Sequence, residues 1–221
     1  MALIRTPQTP WKPLGTVYGP LLNFRREWDL WAPRMTQDPY KAAPQAPVLY
    51  VKSANTFNPS GELVLQDGIT EVEIGATLGV VMGADGQPES VVLLNDWAVP
   101  HASYYRPPVK YRCRDGYLGL GLLRPWADLD VNDLRLRVTL NGAAVQTVDF
   151  SQLKRPLVQL LVDVAEFMSL QAGDVLMLGT DCLEDGTRPR ARAGDTVRIE
   201  AAGFASLSQT LISALNTGGA A

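Results

Sequence analysis

Histidine is nearly absent from this chain: His101 is the only one in 221 residues. It has no companion histidine. It stands as a lone acid/base candidate on its ordinary pKa, against the plainer reading of a structural or solvent-facing side chain. Cysteine is scarce as well. Cys113 and Cys182 alone imply no disulfide framework, and free thiols of a reducing cytosol are the simpler expectation. Cys113 has no histidine at useful spacing to activate it as a nucleophile. No apolar run approaches the length of a membrane span, and the opening MALIRTPQTPWKPLG lacks the apolar core of a signal peptide. A cytoplasmic protein with no membrane partner is expected. Nor is there a cationic excess: 20 Lys and Arg against 23 Asp and Glu leave a net charge of -3, the wrong sign for a nucleic-acid footprint.

What is present is an ordinary core and one dense polar stretch. Hydrophobic residues make up 46% and charged residues 19%, a usual globular balance in a chain long enough for one large domain or two small ones. From Asn95 to Gly121, NDWAVPHASYYRPPVKYRCRDGYLGLG gathers His101, Tyr104, Tyr105, Arg106, Lys110, Arg112 and Arg114. A guanidinium fork matches carboxylate geometry, so the cluster suits a small anion, with the tyrosines as pocket walls. The plainer reading is a long, solvated connection between strands. Gly119-Leu120-Gly121 lacks a following helix, which argues against a nucleotide loop.

The rest of the chain reads as strands with few helices. Residues 1–14, rich in proline, form an expected flexible arm, 15–215 the folded body and 216–221 a frayed tail. A short strand is expected at Gly15–Gly19. A helix of about three turns follows, with Asn23 as N-cap, Phe24, Trp28 and Trp31 at helical spacing, and Pro33 limiting the run. Pro47–Lys52, Leu63–Leu65, Val91–Leu94, Asp174–Leu178 and Thr196–Ala201 read as strands, and Glu71–Gly83 as one long strand. Leu134–Phe150 alternates apolar and polar residues around Asn141-Gly142, a hairpin signal. Pro156 opens a helix whose apolar face is Leu157, Leu160, Leu161, Val164, Ala165 and Met168, with Gly173 as terminator. Without βαβ alternation, the pattern favours an α+β, mostly β fold on a curled mixed sheet.

Several pieces, kept in order along nearly the whole chain, carry a resemblance. They are Gly15 to Asn23 (GTVYGPLLN), Asp29-Leu30-Trp31, Pro39 to Pro44 (PYKAAP), Gly75 to Gly83, Asn95-Asp96, Tyr104 to Pro107 (YYRP), Cys113 to Gly116 (CRDG), Gly173-Asp174, Gly179-Thr180 and Gly194-Asp195. Together they resemble the fumarylacetoacetate hydrolase superfamily, and within it the N-terminal half, or separate small subunit, of the isomerase/decarboxylase branch of 4-hydroxyphenylacetate degradation. The resemblance implies a divalent-metal enzyme, with Mg2+ or Mn2+ held by a Glu-x-Glu pair and an aspartate. That ion would act as a Lewis acid on a dicarboxylate substrate. It also implies a dimer, either of identical chains or with a homologous metal-bearing subunit.

Carried over by position, Asp96 matches the metal aspartate and Thr180 the threonine that holds a substrate carboxylate, although Asp181 replaces the proline that follows it. Arg112 takes the place of the family lysine, keeping charge but not proton donation. Arg112 and Asp115 are the catalytic candidates, and Tyr105, Arg106 and Thr180 the substrate-binding ones. The family histidine–glutamate dyad falls on Glu27 and Leu30 and is lost. Counted back from Gly83, the Glu-x-Glu ligand positions fall on Gly75 and Thr77. Glu71 and Glu73 lie on the same strand face but four residues early, an offset of about 13 Å at a strand's rise. Only a bulge would bring them into register, so the site is expected to be metal-free.

Three functions follow as expectations. The first is an isomerase/decarboxylase subunit acting on substrates like 2-hydroxyhepta-2,4-diene-1,7-dioate or 5-oxopent-3-ene-1,2,5-tricarboxylate. The second is a non-catalytic partner of a metal-bearing homologue, docking through the Trp28/Trp31 and Leu157–Met168 faces. The third is an acylpyruvate-type C–C bond hydrolase, which the lost dyad disfavours.

Overall fold

The computed structural model describes residues 11–101, 109–127 and 129–214. In chain order the strands are β1 (Val17–Leu21), β2 (Val48–Lys52), β3 (Phe57–Asn58), β4 (Glu62–Leu65), β5 (Val72–Glu73), β6 (Ala76–Met82) and β7 (Pro88–Asp96). They continue with β8 (Leu118–Pro125), β9 (Arg135–Leu140), β10 (Ala143–Asp149), β11 (Val175–Met177), β12 (Arg190–Ala191), β13 (Thr196–Glu200) and β14 (Leu207–Ser213). The helices are α1 (Arg25–Met35), α2 (Val109–Arg112) and α3 (Leu157–Ala165). The fold is α+β and mostly β, as expected.

A seven-stranded mixed sheet runs β2-β1-β11-β6-β7-β8-β3, and a five-stranded one runs β10-β9-β13-β14-β4. Strands β2 and β3 are the two edges of the larger sheet, yet residues 53–56 alone join them in the chain. So short a link cannot cross a flat seven-stranded sheet, whose strands lie about 4.8 Å apart. The sheet must curl until its edges nearly meet.

The curl gives each central strand two buried faces. Leu78, Val80, Val91 and Leu93 face the second sheet, meeting Leu136, Val138, Ile199 and Leu211 in the main core. Val81, Val92, Leu94, Leu118 and Tyr50 point into the concave side. Helix α3 adds Leu157, Leu160 and Val164 to the main core. No helix among the described residues is long and apolar enough to cross a membrane.

The Asn141-Gly142 hairpin forms as expected, with both residues at positive φ. Other elements differ. Asn23 does not cap α1: Phe24 holds that place, and the Asn23 amide donates to the Arg155 and Leu178 carbonyls. Pro33 lies inside α1, which runs on to Met35. Gly173 is at positive φ but well past the end of α3, where it leads into β11. The Glu71–Gly83 strand is broken at Ile74-Gly75, between β5 and β6. Strands β3, β8, β12 and β14 had no counterpart in the sequence reading. Most of the arm and all of the 216–221 tail lie outside the described residues.

Candidate functional site

Strand parity decides what the concave side contains. Asp96 ends β7 on the same face as Val92 and Leu94, and Gly75 lies opposite it. Its carboxylate is fully buried and faces two cations. Lys52 Nζ sits 2.8 Å from Oδ1, Arg112 Nη1 donates to Oδ2 at 2.6 Å, and the Tyr50 hydroxyl donates to Oδ2. Tyr50 and Lys52 are alternate residues of β2, hence on one face. Arg112 ends α2 and stacks over the Tyr50 ring at 5.0 Å.

These groups fix one another's charges. Lys52 Nζ faces three oxygens, from Asp96, Arg112 and Tyr117, which suits the three donors of an ammonium. Burial pulls the lysine below its ordinary value while Asp96 opposes the fall. For Asp96, burial alone would raise the carboxyl. The Lys52 and Arg112 charges and the hydrogen bonds from Lys52 and Tyr50 hold it below the usual carboxylate range. Burial and the Asp96 charge push the Tyr50 phenol well up, so it stays protonated and donates.

A second cluster adjoins the first. Thr180 Cγ2 would touch a side chain at Gly75, and the Thr180 hydroxyl accepts from Arg188 Nε at 3.2 Å. Arg188 also donates to the carboxylate of Glu27, on α1. Glu27, at the position of the lost family histidine, thus forms a buried ion pair with Arg188. Beside it opens a cavity of about 240 Å3, lined by Trp31, Arg34, Glu73, His101, Asp185 and Arg188 among others. His101 stacks on Tyr111, with Nδ1 2.9 Å from the Val99 carbonyl. Burial lowers its pKa; the Val99 carbonyl opposes this, Arg112 adds to the fall and Glu73 counters it.

Of the sequence candidates, Asp96, Arg112 and Thr180 come together around Gly75. Asp115 does not join them: it is exposed on a turn and accepts from Asn55 Nδ2 at 2.7 Å. Tyr105 and Arg106 lie outside the described residues. Lys52, Tyr50 and the Glu27–Arg188 pair escaped the sequence reading. No local signal reveals them, because each joins residues at least 44 positions apart.

Strand register bears on the Glu-x-Glu pair. Ala76 pairs with Asn95 and Glu73 with Ala98, so no residue is inserted between them. Glu71 and Glu73 therefore stay out of the ligand positions. Glu71 pairs instead with Arg190 and Arg192 near the surface, and Glu73 faces the cavity. A Cβ on Gly75 would lie 2.2 Å from the Asp96 carbonyl oxygen, so no glutamate fits there. Thr77 spends its hydroxyl on the Gly179 carbonyl, 2.6 Å away. Among the described residues, no three His, Cys, Asp or Glu side chains converge on a common point. This donor set does not fit Mg2+ or Mn2+, which take several oxygen ligands.

The two Gly-x-Gly residues serve packing. A Cβ on Gly119 would meet the Gln209 amide, and one on Gly121 the β7 backbone at Leu93. Cys113 and Cys182 are both free thiols.

A curled mixed sheet with a buried acid–cation cluster on its concave side defines an α+β, mostly β protein. The fumarylacetoacetate (FAA) hydrolase C-terminal family model matches residues 16–212. The chain belongs to that family. It is 33% identical over 208 residues to the 4-hydroxyphenylacetate degradation bifunctional isomerase/decarboxylase of Salmonella dublin, and 32% identical to that of Escherichia coli. Each match takes in 90% of this chain and 47% of the relative, so the chain spans about half the length of the curated relatives it matches. Among solved structures, fumarylpyruvate hydrolase from Pseudomonas aeruginosa, in complex with Mn2+ and pyruvate, superposes with a TM-score of 0.71. The identity there is 18%, with 91% of each chain covered, a likeness of fold.

Proposed function

We propose that this chain is an isomerase/decarboxylase-type subunit in aromatic-acid degradation. Its substrates are unsaturated hydroxy- or oxo-dicarboxylates like 2-hydroxyhepta-2,4-diene-1,7-dioate or 5-oxopent-3-ene-1,2,5-tricarboxylate. The observation that carries this reading is the cavity beside the Glu27–Arg188 pair. It sets two guanidinium groups, Arg34 and Arg188, beside two carboxylates, Glu73 and Asp185, and an imidazole. The kinship to isomerase/decarboxylases over 90% of the chain supports the same class.

In this reading Arg34 and Arg188 engage the carboxylate ends of the substrate, and the sequence candidates Thr180, Tyr105 and Arg106 are assigned to substrate binding. Isomerisation moves a proton from one atom of a conjugated acid to another, so a single base suffices. Glu73 and His101 are the groups placed for it. A lowered pKa keeps His101 neutral near pH 7, able to accept a proton and return it.

A second reading, the non-catalytic partner of a metal-bearing homologue, is favoured by the chain's match to half of its relatives and by the engagement of Glu27 with Arg188. The test follows dienol absorbance with the chain alone and mixed with a homologous subunit. Glu73→Gln and Arg106→Ala are expected to lower turnover about 100-fold. Unchanged turnover in both variants, in the mixture, would leave the partner reading in place.

A further inference from the structure

Asp96 has the position of a metal aspartate but not its surroundings. Both oxygens face buried cations, Lys52 at 2.8 Å and Arg112 at 2.6 Å, and the three side chains expose at most 1% of their surface. Two cations against one carboxylate leave the cluster with an excess positive charge, since the Tyr50 phenol is neutral. A divalent ion brought here would meet like charge at short range in a medium that screens poorly. It would also have to displace an ammonium whose other oxygen neighbours are the Arg112 and Tyr117 carbonyls.

We infer that the Lys52 ammonium, with the Arg112 guanidinium, is a built-in replacement for the divalent ion, so that the Asp96 site is complete without metal. The replacement also explains how a chain with Gly75 and Thr77 at the ligand positions keeps a buried aspartate there. A buried charge needs a partner, and two residues of this chain supply it.

The replacement has a structural consequence. Lys52 lies on β2, Asp96 on β7, and the two carbonyls flank the turn from α2 into β8. The ammonium therefore ties an edge of the curled sheet to its middle and to the segment that re-enters it. In a metal-dependent site that tie would be lost to a chelator. Here it is covalently part of the chain.

The inference does not depend on the proposed substrate or on whether the chain is catalytic. Its test uses the full chain, stripped with EDTA and titrated with Mn2+ by calorimetry and electron paramagnetic resonance, with thermal unfolding recorded in EDTA and in Mn2+. The expected result is the unperturbed spectrum of free Mn2+ and no shift in Tm between the two conditions. Uptake of one Mn2+ per chain that raises Tm and disappears in Asp96→Asn would overturn the inference. Uptake that persists in Asp96→Asn lies elsewhere and leaves it standing. Lys52→Met is expected to unfold at a lower temperature than the parent by the same margin in EDTA and in Mn2+. An unchanged Tm in that variant would equally overturn the role given to the ammonium.

Discussion

Lys52 and Asp96 meet 2.8 Å apart inside the curled sheet, with neither side chain reaching solvent. Their strands, β2 and β7, are not neighbours in the sheet, so the ion pair spans its concave side. Removing one partner of such a pair strands the other, and the two removals are not equivalent. Lys52→Met leaves Asp96 balanced by Arg112. Asp96→Asn leaves two buried cations facing each other. Losses of about 3 kcal/mol for Lys52→Met and about 5 kcal/mol for Asp96→Asn are expected, read from urea unfolding at constant slope. The reverse order would contradict the excess positive charge assigned to the cluster.

Legibility in the sequence followed the range of the interaction. The Asn141-Gly142 hairpin was readable because its turn and its alternation are local. The nearness of Asp96, Arg112 and Thr180 follows from family position, and the offset of Glu71 and Glu73 from Gly75 and Thr77 from counting, with no inserted residue to close it. Lys52 was not, since PVLYVK reads only as a strand and its partner lies 44 residues on. Strand β8 was hidden by Gly119 and Gly121, a residue type depleted in strands. In β14, Gln209 sits between Leu207 and Leu211 on the inward face, which blurs the apolar period. Asn23 had the chemistry of a helix cap, but long-range carbonyls took up its amide.

Gly75 is expected to tolerate no side chain. A methyl group there would sit 2.2 Å from the Asp96 carbonyl oxygen, a backbone atom of the adjacent strand with little freedom to withdraw. Gly75→Ala should cost about 3 kcal/mol or more, at or beyond the upper end of ordinary overpacking, and Gly75→Glu should fail to fold. A folded Gly75→Glu protein with near-parental stability would show that the family ligand could be restored here.

Asp181 supplies a pH-dependent expectation. Burial raises its carboxyl pKa; the Cys182 amide and Arg26 oppose the rise and Glu27 adds to it. A raised folded pKa gives stability that is present below the unfolded value, about 3.9, and lost as pH rises through the folded one. Asn carries no charge to bury and can still accept from the Cys182 N–H, 2.8 Å from Oδ1 in the parent. Asp181→Asn should therefore raise Tm near pH 7, with the gain vanishing below about pH 4. A gain that persists at low pH would point to a cause other than the buried charge.

Gly119 and Gln209 offer a test of how the two sheets are joined. Gln209, on β14 of the smaller sheet, accepts from the Trp97 indole N–H at 2.9 Å and lies over Gly119 of β8 in the larger sheet. A Cβ on Gly119 would fall 1.9 Å from the Gln209 amide oxygen. Gly119→Ala must therefore drive that amide away and leave the Trp97 N–H, in a fully buried ring, without its acceptor. The expected cost is about 2 kcal/mol, that of an unsatisfied buried donor plus local strain. Gln209→Ala alone should also cost about 2 kcal/mol, because it removes the same hydrogen bond. The double variant has room for the new methyl and has already lost the bond, so the two costs should not add. Coupling of at least 1 kcal/mol in the double-mutant cycle is expected. Simple additivity would mean that Gly119 is required for the backbone path of β8 rather than for the amide that packs on it.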